Sequence, residues 1–122
     1  MIEIFKPSRY QIPKKKIVQA AEMLLREAQM SDKTLNLIFV GKRKMQDIAF
    51  TYKSENVALP VLSFSYKTLE DSDHEKYHDS NLLGEVFLCY PQIVLLASER
   101  GRKIDDMIVA MIEHGIANIV NE

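Results

Sequence analysis

Short runs of branched and aromatic residues alternate along this chain with longer stretches whose apolar residues recur every three or four positions. The two periods do not interchange, because a repeat of two puts side chains on one face of a strand and a repeat of 3.6 on one face of a helix. Ile2-Glu3-Ile4-Phe5 predicts a short strand. Pro13 stands where a first helical turn tolerates a missing N–H. Ile17, Ala20, Ala21, Leu24, Leu25 and Ala28 follow at helical spacing, which predicts a helix of about 17 residues. Leu35 to Val40 is β-rich and closed by Gly41, and Arg43 to Tyr52 returns to a helix with Ile48, Ala49 and Tyr52 on one side.

Pro60 stands at the entrance of a strand over Val61 to Tyr66, an edge or first position where the absent donor is tolerated. An acidic, polar loop follows from Glu70 to Ser80. Leu82 to Tyr90 reads as a nearly continuous apolar strand broken at Gly84-Glu85. Pro91 then opens a helix through Ile93, Val94, Leu96 and Ala97 toward Gly101. A last helix from about Ile104 places Ile104, Met107, Ile108, Met111 and Ile112 on one face. The order β-α-β-α-β-β-α-α predicts an α+β fold, a small mixed four-stranded sheet covered by helices.

With 122 residues, the chain is expected to form one domain over 1–122, since two halves of that size would each bury too little apolar surface. Apolar residues at 47% and charged residues at 27% exclude the composition of disorder. No apolar run approaches the roughly 18 residues of a membrane span. The N-terminus lacks the basic-then-apolar layout of a signal peptide, so a cytoplasmic protein is expected. The lone Cys89 excludes an internal disulfide or a CxxC motif and reads as a small buried hydrophobe. Charge is unevenly spread. Residues 1–53 hold eleven Lys/Arg against five Asp/Glu, and residues 54–122 five against twelve. A basic half suits a phosphate partner, although solvated helix faces produce the same asymmetry.

Three histidines carry potential chemistry. His74-Glu75-Lys76-Tyr77-His78 formally matches HExxH, in which two imidazoles one turn apart hold zinc and the Glu activates water. That chemistry needs apolar flanks, whereas Glu70, Asp71, Ser72, Asp73, Asp79 and Ser80 make a solvated segment, so a chance match is the expectation. A zinc hydrolase built on His74, Glu75 and His78 stays as an alternative. His114 lies in the apolar last helix beside Gly115, where residue chemistry alone favours a satisfied, partly buried histidine over a ligand.

The tail from Met111 through Glu113-His114-Gly115 to Asn118 and Asn121 resembles the H-G-x-x-H-x-x-G-x-D-H signature of the YbeY family of rRNA maturation endoribonucleases. Val61-Leu62-Ser63-Phe64 is similar to the family's T-D-V-L-S-F strand. Leu83-Gly84-Glu85-Val86, with Cys89 and Pro91, is similar to its L-G-D-I strand, and Ile48 to Lys53 to its L-N-x-x-Y-R segment. Four blocks in the right order span the chain. The resemblance implies an α+β fold and a metal-dependent, single-strand-specific ribonuclease of ribosomal RNA ends, associated with the small ribosomal subunit. It also implies three histidines around a zinc ion with an open position for water, and an arginine that steadies the phosphorane charge.

Residue by residue, His114 and Gly115 match the first ligand and its glycine. The second ligand falls on Asn118, an amide, and the turn glycine on Asn121, which also accepts the left-handed conformation. The third ligand falls at position 124, past Glu122, so the chain reads as a divergent, C-terminally truncated member. The arginine position holds Lys53, which keeps the charge and loses the bidentate fork. Pro60 replaces the aspartate before V-L-S-F. One of three histidine ligands stands, and zinc catalysis is placed in doubt. Substitute ligands are Glu122, or His74 and His78 folded back over His114. Lys42, Arg43 and Lys44, with Lys14, Lys15 and Lys16, are the candidate phosphate contacts. The alternative is a noncatalytic RNA- or protein-binding module of the same fold, which would dock a protein partner in the old cleft or on Ile116, Ile119 and Val120 of the final helix.

Overall fold

The structure, a computed structural model, describes residues 1–66 and 81–121. The Glu70–Ser80 segment and the HExxH-like His74, Glu75 and His78, together with Glu122, lie outside the described residues. The elements are β1 (Ile2–Phe5), α1 (Lys14–Glu27), β2 (Thr34–Val40), α2 (Lys42–Lys53), β3 (Val61–Ser65), β4 (Leu82–Cys89), α3 (Tyr90–Glu99) and α4 (Ile104–Val120). The strands form one mixed sheet in the order β1-β2-β4-β3. β1 and β2, and β2 and β4, run parallel, whereas β3 lies antiparallel to β4 at the edge. The α+β architecture and the element order match the reading of the sequence.

Period-two alternation assigns the two sheet faces. Leu35, Leu37 and Phe39 of β2 and Val86 and Leu88 of β4 join one core with Ile17, Ala21 and Leu25 of α1, Ile93 of α3 and the apolar stripe of α4. The alternate residues Val40, Leu62 and Cys89 pack with Met45 of α2 in a second core, with Ile38, Phe64 and Phe87 at its margin. α2 therefore covers one face alone, and α1, α3 and α4 cover the other.

Apart from one-residue differences at the ends of α2 and β3, three boundaries depart from the expectation. α1 has 14 residues, because Gln29 adopts a left-handed conformation at φ 59° and the Met30 amide donates back to the Leu25 carbonyl at 2.7 Å, ending the helix. β4 is not broken at Gly84-Glu85. It continues to Cys89 and absorbs the irregularity as a bulge, with Thr34 opposite Leu82 and Leu35 opposite Gly84. Gly84 is required there, since a Cβ would strike the Phe64 carbonyl of β3. Tyr90 opens α3, with Pro91 in its first turn.

Candidate functional site

α4 crosses the sheet over β3 and β4, and its closest approach is at Gly115. A Cβ built on Gly115 would lie 2.6 Å from Val86 Cγ1 and 3.1 Å from Ser63 Oγ, so only glycine lets the helix seat this deeply. The Ser63 hydroxyl donates to the Gly115 carbonyl at 2.9 Å and pins the helix to the edge strand. Ile112, Gly115, Ile116 and Ile119 face the core at spacings of three and four. His114 and Asn118 fall off that stripe and are exposed. The expected partial burial of His114 is therefore corrected: a helical step of about 100° from the buried Gly115 carries its imidazole out of the core.

The last turn of α2 reaches the same place. Ser54 caps it in the left-handed region at φ 56°. The Ser54 amide donates to Phe50 and the Glu55 amide to Ala49, a glycine-type termination taken here by serine. The reversal leaves Lys53 and Glu55 beside the α4 residues, and a depression of about 500 Å³ is lined by Lys53, Glu55, Ser63, His114 and Asn118 over a floor that includes Leu62. The connector to β3 is tied down from below, where the Gln92 side-chain amide donates to the Ala58 carbonyl at 2.8 Å and the Cys89 amide to Pro60 at 2.9 Å. Cys89 is fully buried, as expected. Burial pushes its thiol up, against smaller downward pulls from the Gln92 backbone N–H and the Lys42 charge.

Lys53, His114 and Asn118, separated by up to 65 positions in the chain, thus share one cleft. Lys42, Arg43 and Lys44 do not. They are exposed on the first turn of α2, about 15 Å from Lys53 along the helix axis. Lys14, Lys15 and Lys16 open α1 and are likewise exposed. Glu55 and Ser63 are cleft residues that sequence reasoning missed as such. The alternation of Ser63 with Leu62 hinted that Ser63 faces away from α2, but nothing local places Glu55.

The proposed docking residues on the final helix are corrected outright. Ile116 and Ile119 are 0% and 1% exposed, because they form the stripe that seats α4 on the sheet, and only Val120 is half-buried. Among the described residues no group of three His, Cys, Asp or Glu converges, and no helix is long and apolar enough to cross a membrane.

The family model for Endoribonuclease YbeY matches residues 4–120. The chain belongs to the YbeY family. Among its relatives, this YbeY-family chain is 27% identical over 108 residues to an Endoribonuclease YbeY of Ralstonia nicotianae, covering 88% of this chain and 52% of that protein. It is 29% identical over 99 residues to one of Pseudomonas syringae pv. tomato, covering 81% and 56%. The chain thus spans about half the length of the curated relatives it matches. A solution structure of a Thermotoga maritima protein superposes with a TM-score of 0.61 at 17% identity over 98% of this chain and 72% of that one, which supports the fold.

Proposed function

We propose that this YbeY-family chain is an rRNA maturation factor whose cleft between α2, β3 and α4 binds single-stranded RNA. The observation that carries the reading is the meeting of Lys53, His114 and Asn118 in one depression. These are the positions that the family resemblance marks as the charge-bearing residue and two of the ligand sites. Ribosomal RNA or the small ribosomal subunit as partner, and the cytoplasm as location, follow from the same resemblance.

The zinc chemistry of the family asks for three imidazoles. The described residues offer one, on His114, and an amide on Asn118, which is a poor zinc donor. The amide makes the described donor set a weak one for zinc, so the roles proposed for these cleft residues are binding and orientation. Lys53 supplies a compact charge to a phosphate oxygen. His114 offers ring nitrogens to a phosphate or a ribose hydroxyl, and the Ser63–Gly115 hydrogen bond holds α4 at the depth that sets their spacing.

Fluorescence anisotropy with a short single-stranded RNA tests this. Affinity is expected to fall steeply with salt, and Lys53→Gln to weaken binding and flatten the slope of log K against log salt by about 0.7, the release of one counterion from a single strand. Binding that ignores both salt and Lys53→Gln sinks the proposal.

A further inference from the structure

A second depression, of about 550 Å³, runs along α2 on its sheet-facing flank. Lys44, Ile48 and Tyr52, four residues apart and so on one helix face, stand across it from Phe64, Glu85 and Phe87. Its rings form a ladder. Tyr52 meets Phe64 edge-on at 5.0 Å and 69°, and Phe64 meets Phe87 at 5.7 Å and 86°. Tyr52 is 67% exposed, whereas Phe64 and Phe87 are half-buried at the margin of the second core. An exposed ring set against two half-buried ones is apolar surface open to a partner.

The ends of this groove matter as much as its floor. At one end Tyr52 adjoins Lys53, which lines the cleft. At the other, Lys44 belongs to the exposed turn Lys42-Arg43-Lys44, which has no acid in it. Three cations at a helix N-terminus oppose the helix dipole, so local stability does not account for them. Glu85, a carboxylate in the groove, is engaged: the Tyr66 hydroxyl donates to it at 2.7 Å and the Asn36 amide at 3.3 Å.

We propose that this groove is a track for single-stranded RNA, with bases stacked on Tyr52 and the Phe64–Phe87 pair and phosphates led from Lys53 to the Lys42-Arg43-Lys44 turn. The track rests on the reading of the cleft as an RNA site and extends it by about 12 Å, the helical rise from Tyr52 to Lys44. An apolar peptide would use the rings and leave the cations idle. A polyanion with planar bases uses both, and stacking of this kind tolerates any sequence.

Anisotropy with a single-stranded RNA and with an abasic strand of equal length separates the terms. Tyr52→Ala is expected to weaken RNA binding by about tenfold, the effect of losing one base–aromatic stack, and to leave abasic binding unchanged. Tyr52→Phe should bind as the parent does. Lys44→Gln should weaken both strands alike and reduce the salt dependence. Tyr52→Ala loses the edge contact with Phe64, so a parent-like circular dichroism spectrum with a melting point lower by a few degrees is expected, folded at the assay temperature. Parent-like RNA binding by Tyr52→Ala, or an equal loss on the abasic strand, overturns the track while the cleft reading stands. A parent chain that binds neither strand overturns both.

Discussion

Gly115→Ala offers the sharpest test of how α4 is seated. In an ordinary helix interior, this change stabilises by about 1 kcal/mol, since alanine is the better helix former. Here the new methyl would stand 2.6 Å from Val86 Cγ1, 3.1 Å from Ser63 Oγ and 3.2 Å from Val61 Cγ2. The first distance is about 1 Å inside optimal carbon–carbon contact. Val86 cannot turn aside easily: it is fully buried and β-branched, with restricted χ1. Relief must come from lifting α4, which also strains the Ser63–Gly115 hydrogen bond. Overpacking of a core position costs up to about 3 kcal/mol, so the net expectation is a loss of about 2 kcal/mol. For a chain of this size that is a fall of about 8 °C in Tm, read by circular dichroism and checked by urea titration. Val86→Ala provides the control. Alone it leaves a cavity and destabilises, but beside Gly115→Ala the new methyl occupies the vacated space, and the pair should couple by at least about 1 kcal/mol. An unchanged or raised Tm for Gly115→Ala, or strict additivity with Val86→Ala, would refute the account of glycine as the residue that sets the cleft's depth.

Three further outcomes are expected. Ile119→Asp should abolish the cooperative melt rather than alter an oligomeric state, because a carboxylate at a position 1% exposed costs more than about 4 kcal/mol; a folded, monodisperse Ile119→Asp chain would contradict the assignment of this residue to the core. The Cys89 thiol, pushed up by burial, should resist alkylation in native protein and react fully in denaturant. The unfolded thiol ionises at lower pH than the folded one, so this group should erode stability as pH rises above its unfolded value of about 8.5 and Cys89→Ser should change that slope, measured by urea midpoints across pH.

Much of this protein is legible locally. The strand and helix periods, the prolines beside the starts of α3 and β3, and the four family-like blocks all depend on neighbours within a few positions, where backbone sterics and side-chain direction act directly. For the same reason the boundaries that failed were those set by other elements. Gly84-Glu85 looks like a break in the linear pattern, yet β2 and β3 hold it in the sheet on either side.

Exposure could not be read in this way. Ile116 and Ile119 looked available for a partner because their stripe is apolar, and only the crossing of α4 over β3 and β4 turns that stripe into core. His114 looked half-buried because its neighbours are apolar, and only the depth of Gly115 against Val86 fixes the helix rotation that carries the imidazole outward. The residue order by itself determined the elements, the family and the amide at Asn118 where the family pattern has a histidine. The tertiary structure decided which residues face water together: Lys53, Glu55, Ser63, His114 and Asn118 in one cleft, and Lys44, Tyr52, Phe64 and Phe87 along one groove. The physical reason is that periodicity records which side of an element a residue occupies. What lies opposite that side depends on sheet order and helix seating, which arise from contacts between segments far apart in the chain.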